Sequence, residues 1–272
     1  MAKTAEQPTG AAGRLVGVFG DSLPVQDIYS PEGSRMYHAL TQGDRSEIRE
    51  ILRVARGGAG PVLDLACGAG RLTLPLRALR HDIVALDSSA EMLRLLQQSL
   101  GDTPAAGPRV ELVEADMTAF SLGRHFGLVV LGATSVTLLD RRDRGRLFAR
   151  VADHLSGDGR FLLTTLEPTG TSGQVTESVQ LVIGENGEHP ALHLLTEHLD
   201  TGRNVRSISV LRQTVTQGAV VKNELFTSRT HVVTVDELRG ELATAGLRLL
   251  GRYPVAGDAA HDYRVSLLEC AL

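Results

Sequence analysis

Asp64, Gly68, Gly70 and Asp87 are the residues of this 272-residue chain whose types and spacing point most directly to chemistry. Asp64 lies inside the apolar run Val62-Leu63-Asp64-Leu65, and Ala66-Cys67-Gly68-Ala69-Gly70 follows with almost no side-chain bulk. This pattern predicts a buried parallel strand, a tight turn and a helix start. A ligand can lie against such a turn because no Cβ atoms hold it away. Asp87 closes the next apolar run, where a carboxylate can accept both hydroxyls of a ribose. The four together predict a nucleoside site.

The kind of nucleoside follows from what the turn lacks. A dinucleotide fingerprint carries a third glycine that lets the helix N-terminus meet a pyrophosphate. Here that position is Thr73, and Asp64 stands four residues before Gly68. A carboxylate so placed repels a pyrophosphate and suits an ammonium or sulfonium charge. A nicotinamide-dependent reductase is disfavoured on both counts, and an ordinary strand-to-helix turn is the bland alternative.

The elements that must hold these residues alternate. Strands are predicted at 61–65, 81–86, 109–113, 127–131 and 160–166. Helices are predicted at 71–79 (Pro75 near its first turn), at 90–100 capped by Ser88-Ser89, and at 143–155, stopped by Gly157-Asp158-Gly159. Such alternation means an α/β fold with a doubly wound parallel sheet. Between 172 and 233 the pattern changes to β-rich runs at 177–183, 193–200, 204–217 and 220–233. Gly184 to Gly187, Thr201-Gly202 and Gln217-Gly218 join them as turns, which predicts an antiparallel insertion. A helix at 236–245 behind Thr234 and strands at 247–253 and 263–270 complete the chain.

Composition excludes several classes. An apolar fraction of 42% suffices for a full core, and a net charge of −4 gives no general attraction to nucleic acid or an anionic membrane. No apolar run reaches membrane-spanning length, and residues 1–13 are expected to be a frayed tail without a secretion signal. Cys67 and Cys270 offer neither metal-ligand spacing nor a disulfide framework, so a reducing cytoplasm is expected and no metal.

Asp64-x-Ala66-x-Gly68-x-Gly70 resembles motif I of the class I S-adenosylmethionine-dependent methyltransferases, with Ala66 at the first glycine position. The element order is similar to that Rossmann-like fold: a mostly parallel seven-stranded sheet with a reversed final strand. An antiparallel β insertion after strand five is similar to that of sugar amino N-methyltransferases and glycine N-methyltransferase. The resemblance implies a tail and lid at 1–43 and an S-adenosylmethionine-binding domain at 44–171. It further implies an insertion at 172–233 that covers substrate or makes a homodimer, and a return to the sheet at 234–272. S-adenosyl-L-methionine would be the cofactor and S-adenosylhomocysteine the product.

Residue roles follow from the same resemblance. Asp64, Ala66, Gly68 and Gly70 would wrap the methionine part, with Asp64 toward its ammonium. Asp87 would hold the ribose hydroxyls, Ser88 and Met92 would border the adenine, and Asp116 would meet its amino group between Ala115 and Met117. Gly132 and Ala133 would leave the sulfonium open to substrate. Upstream, Tyr29 and Tyr37 could close as a lid and serve catalysis, and Arg35 or Arg45 could pair with the methionine carboxylate. For Asp116 the alternative is a surface acid, and for the tyrosines it is packing.

Methyl transfer needs positioning more than a strong base. Tyr29, Tyr37, Glu167, His193 and His231 are candidate bases, with Arg35, Glu167, His193 and His231 also candidates for substrate contact. Glu167 and Glu197 could draw in a cationic amine, although each of these strand residues could equally face solvent. After the fourth strand stands Gly132-Ala133-Thr134-Ser135, not the Asn/Asp-Pro-Pro-aromatic run of nucleic-acid amino methyltransferases. Residues 27–33, 44–48 and 132–140 resemble enzymes of daptide-type ribosomal peptide (RiPP) pathways. That likeness implies N-methylation or N,N-dimethylation of a primary amine, such as the C-terminal amine of a modified peptide. A small-molecule O- or C-methyltransferase and a catalytically silent nucleoside-binding module are the alternatives.

Overall fold

The computed structural model describes residues 7–41, 43, 45–58, 60–101, 107–169, 173–186, 189–255 and 263–272. In chain order these form α1 (Gly10–Phe19), β1 (Val25–Asp27), α2 (Pro31–Thr41), α3 (Ile48–Ala55), β2 (Val62–Leu65), α4 (Thr73–Leu76) and β3 (Ile83–Asp87). Then come α5 (Ala90–Gly101), β4 (Val110–Glu114), β5 (Phe126–Leu131), α6 (Arg141–His154) and β6 (Leu155–Pro168). β7 (Val175–Asn186), β8 (His189–Asp200), β9 (Val205–Thr216) and β10 (Ala219–His231) follow, before α7 (Val235–Thr244), β11 (Arg248–Pro254) and β12 (Tyr263–Ala271). Two units result: Met1–Thr41 with Gly170–Val232, and Gln42–Thr169 with Val233–Leu272.

The second unit is built on a seven-stranded sheet in the order β11-β12-β6-β5-β2-β3-β4. β2 pairs in parallel with both β3 and β5, and β12 alone runs antiparallel to its neighbours β6 and β11. All four residues of β2 and all six of β5 are buried, as a strand covered on both faces requires. Their side chains divide by parity. Leu63, Leu65, Val129 and Leu131 pack with Leu147, Phe148 and Leu238 of α6 and α7. Val62, Leu128 and Val130 pack with Ile51 and Leu76 of α3 and α4. The strand order reverses across β2, so the carboxyl ends of β2 and β5 open the crevice where ligands collect in such sheets.

Thr234 closes a capping box on α7: its hydroxyl accepts from the Glu237 N–H, and the Glu237 carboxylate accepts from the Thr234 N–H at 2.9 Å. Thr234→Ala is expected to cost about 1 kcal/mol, seen as a fall of about 2 °C in a thermal melt, with Thr234→Ser close to wild type.

The first unit is a five-stranded sheet in the order β1-β10-β9-β8-β7. The four long strands pair antiparallel in sequence, while β1 adds in parallel to β10. Ala12, Leu15, Val16 and Phe19 of α1 pack on Leu211 and Leu225 of one face. Met36, Tyr37 and Leu40 of α2 pack with Val210 and Phe226 of the other.

The seven-stranded fold matches the expected order, with local differences. The tail expected through residue 13 is helical from Gly10, because α1 has an apolar stripe to bury. Residues 31–41, to which no element was assigned from the sequence, are helical: Pro31 suits a first helical position, and the Ser30 hydroxyl accepts from the Gly33 N–H. Asp44 and the turn residue Gly187 lie outside the described residues, as do the boundary residues Thr171 and Ser172. Residues through Thr41 group with the insertion by way of β1. The helix expected over 71–79 shrinks to Thr73–Leu76 plus a 3-10 turn at Arg77–Leu79 ended by left-handed Arg80. α6 starts at Arg141, because Asp140 and not a later residue caps it, accepting from the Asp143 N–H at 2.8 Å. Gly157 and Gly159 sit in a bulge of β6, which runs from Leu155 to Arg160 while its partner β5 advances only from Phe126 to Leu128.

Candidate functional site

Asp64 is 1% exposed. Its Oδ2 accepts from the Thr73 hydroxyl at 2.6 Å, while Oδ1 is buried without a hydrogen-bond partner. A buried, half-satisfied carboxylate is costly unless a ligand completes it. Burial pushes the Asp64 carboxyl up to about 7, with Asp87 and Glu47 adding to the rise and Thr73 and Arg71 opposing it. A cation placed at Oδ1 would draw it back to the ionised form.

The turn after Asp64 is held in left-handed backbone, with φ of +51° at Ala66, +55° at Gly68 and +91° at Gly70. A Cβ on Gly68 would meet nothing within 4 Å, so that side of the turn is open. A Cβ on Gly70 would run into Leu96, so glycine here is what lets α5 pack on the turn. Cys67 fills space beneath it; burial pushes its thiol well up, which keeps it unreactive.

Asp87 braces this turn from the tip of β3. One carboxylate oxygen accepts from the Gly68 N–H and the other from the Ser89 N–H, each at 2.8 Å. Burial raises its pKa, and these backbone donors oppose the rise. Each oxygen retains acceptor capacity for a further donor. The Ala115 N–H donates to the Asp87 carbonyl at 3.1 Å, so the exit of β4 is tied to the same point. Ser89, and not Ser88, caps α5, accepting from the Met92 N–H at 3.3 Å, and Met92 is buried beside it.

At the exit of β5 the backbone is strained: Ala133 and Thr134 have φ of +54° and +53°. Non-glycine residues in this region cost roughly 1–2 kcal/mol each. Glu47, 3% exposed, holds them: its two oxygens accept from the Ala133 N–H at 2.8 and 2.9 Å. Glu47 also accepts from the Thr164 hydroxyl at 2.8 Å and forms an ion pair with Arg71, the residue after Gly70. Glu47 was not singled out from the sequence. Its signal is that it shares a helical spacing of four with the buried Ile51 and Ala55, which puts a carboxylate on an apolar face.

The structure therefore brings together Asp64, Ala66, Gly68, Gly70 and Asp87, with Ala115, Gly132 and Ala133 on the neighbouring strand exits. Asp116 is exposed and accepts from both the N–H and the hydroxyl of Thr118 at 2.7 Å, a local turn; Met117 packs on the core. Glu167, on β6, pairs with Arg252 at 2.7 Å, and Arg45 is exposed. The remaining candidates belong to the five-stranded unit. Tyr29 and Tyr37 stack edge to face with centroids 6.2 Å apart. Burial of the phenol, then Tyr37 and Asp27, push the Tyr29 pKa up, although the residue as a whole is 41% exposed. Arg35 pairs with Glu32, and Glu197 with Arg206. His193 is buried, its pKa lowered by burial and by Arg212, while His231 is exposed at the end of β10. Among the described residues no group of His, Cys, Asp or Glu gathers as a metal site, and no helix is long and apolar enough to cross a membrane.

Residues 62–159 match the family model described as a methyltransferase domain. The chain is 29% identical over 140 residues to the dTDP-3-amino-3,4,6-trideoxy-alpha-D-glucopyranose N,N-dimethyltransferase of Streptomyces venezuelae, covering 51% of this chain and 54% of that enzyme. It is 23% identical over 230 residues to the dTDP-4-amino-2,3,4,6-tetradeoxy-D-glucose N,N-dimethyltransferase of Saccharopolyspora spinosa, covering 81% of this chain and 87% of that enzyme. Most such matches are shorter, and the chain spans about half the length of the curated relatives concerned. Among solved structures, the glycopeptide N-methyltransferase MtfA complexed with S-adenosyl-L-homocysteine is 26% identical, with a TM-score of 0.64 over 97% of this chain and 98% of that one.

Proposed function

We propose, from the premise that this chain carries a class I S-adenosylmethionine-dependent methyltransferase domain, that it methylates the nitrogen of a primary amine in natural-product biosynthesis. The C-terminal amine of a modified ribosomal peptide of the daptide type is the acceptor in this reading. The observation that carries the proposal is the pairing of a half-satisfied buried carboxylate at Asp64 with the open, Cβ-free side of Gly68 and the braced carboxylate of Asp87. Such a site fits a ligand with an ammonium, a sulfonium and a ribose. The relatives named as N,N-dimethyltransferases and the N-methyltransferase structure support transfer to nitrogen.

Asp64 then holds the methionine ammonium, Asp87 the ribose hydroxyls, and Ser88, Met92, Ala115, Asp116 and Met117 border the adenine. Gly132 and Ala133 leave room beside the reacting centre. The bound cofactor supplies a methyl carbon activated by its sulfonium charge. The protein's share is to align the amine, exclude water and let the amine arrive unprotonated. In this reading the five-stranded unit carries the acceptor-side candidates Tyr29, Tyr37, Arg35, His193 and His231, and serves as substrate cover or homodimer contact.

The test is mass spectrometry of a peptide ending in a primary amine, and of a nucleotide-linked amino sugar, each incubated with the protein and S-adenosylmethionine. One or two methyl groups on the peptide nitrogen are expected. Methyl on oxygen or carbon would replace the amine reading, and failure to bind S-adenosylhomocysteine in a calorimetric titration would remove the methyltransferase reading altogether.

A further inference from the structure

We propose that Glu47 is a positioning residue, which fixes the backbone leaving β5 against the glycine turn in the geometry that methyl transfer needs. The functional half of this inference rests on the methyltransferase reading above; the structural half stands on the geometry alone.

Glu47 does not serve the helix it opens. It occupies the N-cap of α3, yet its side chain makes no capping bond there and instead reaches the exit of β5. Four separate segments converge on its carboxylate: its own, Arg71 after the glycine turn, Ala133 after β5, and Thr164 within β6. Thr164 passes the constraint on. Fully buried, it donates its hydroxyl hydrogen to Glu47 and accepts from the Thr134 N–H at 3.0 Å. Both left-handed residues are thereby held by one carboxylate, Ala133 directly and Thr134 through Thr164.

The neighbouring packing leaves this backbone no alternative course. A Cβ on Gly132 would collide with Leu72 and come within 3.2 Å of Glu47 Oε1. Gly132 is thus pressed between the residue two after Gly70 and the Glu47 carboxylate. Strain in left-handed backbone persists only where the surroundings over-determine it, and it concentrates at functional sites. A neutral core residue at position 47 could fill the same volume but would leave the strained Ala133 amide without its acceptor and the Thr164 hydroxyl, which accepts from Thr134, without the group that orients it. It would also leave Arg71 without this carboxylate.

The experiment compares wild type with Glu47→Ala, Glu47→Gln and Thr164→Val. It reads amide hydrogen exchange by NMR, S-adenosylhomocysteine affinity by calorimetry, and kcat and KM on the amine-terminated peptide. In Glu47→Ala the Ala133 and Thr134 amides should exchange roughly tenfold faster or more, while those of β3 and β12 stay protected. Misplacing the strand exit should lower kcat by roughly 10²-fold, with affinity for S-adenosylhomocysteine and KM for the peptide nearly unchanged. Glu47→Gln keeps an acceptor for Ala133 and should recover part of kcat. Thr164→Val, close to isosteric, should release Thr134 alone. Unchanged kcat with both amides still protected would overturn the proposal, as would protection lost evenly across the sheet, which marks a merely structural residue. Failure of wild type to bind S-adenosylhomocysteine would instead strike the functional reading, with the exchange data still reporting on the hub.

Discussion

Asp87→Ala is expected to weaken S-adenosylhomocysteine binding by on the order of 10² to 10³-fold, the largest single loss among the site residues. The side chain has two tasks. It accepts from the Gly68 and Ser89 amides at 2.8 Å, which sets the turn, and in the proposed role its remaining lone pairs receive the ribose hydroxyls. Losing a charge-assisted pair of such bonds removes roughly 3 kcal/mol or more of binding. Asp87→Asn keeps one acceptor but sets an NH2 against an amide donor or a hydroxyl, so it should fall between alanine and wild type. Calorimetric titration of the three proteins orders them. Equal affinity in all three would remove Asp87 from the site.

Cofactor affinity should also depend steeply on pH, through Asp64. Its folded carboxyl is pushed up to about 7, above the ordinary carboxylate value, chiefly by burial. The folded, ligand-free protein therefore keeps a proton that the unfolded chain releases near pH 4, about the ordinary aspartate value. The sign follows: this group's contribution to stability is present in full below about pH 4 and is lost as pH rises to about 7. A ligand ammonium at Oδ1 favours the ionised form, so binding runs the other way. Affinity for S-adenosylmethionine should rise by up to about tenfold per pH unit between pH 5 and 7 and then level off, until the ligand's own ammonium titrates. Asp64→Asn should bind weakly with a flat profile across that range. A flat profile in wild type would show that Asp64 does not meet the ligand's charge.

What the sequence disclosed was what local pattern encodes. The parity of Val62, Leu63 and Leu65, the Cβ-poor run to Gly70 and the carboxylate of Asp87 all act within one strand and its following turn, so the β2–β3 core of the sheet was legible. Thr234 and Glu237 form their box within four residues, and that helix start was legible too. Glu47 was not, because its partners lie at 71, 133 and 164, separations no periodicity reveals. α1 was hidden by Gly10, Gly13 and Gly17, which dilute a helical stripe that only the five-stranded sheet completes. Asp116 shows the limit of local pattern: an acid at a strand exit predicts a ligand contact and a local turn equally well, and its Oδ1 accepts both hydrogen bonds from Thr118.

The parallel pairing of β1 with β10 has a consequence for how the chain is made. Val25 finds its partner in Leu225, and β12, the last strand, inserts between β6 and β11. Each sheet is completed only by a late segment, β10 in one and β12 in the other. The early segment must wait with its apolar side chains uncovered for about 200 residues of synthesis, at roughly 5–20 residues per second. Non-local pairing of this kind slows closure and lengthens exposure to aggregation. Production at lower temperature, or with abundant chaperone, should therefore raise the yield of native protein more than any change at the surface.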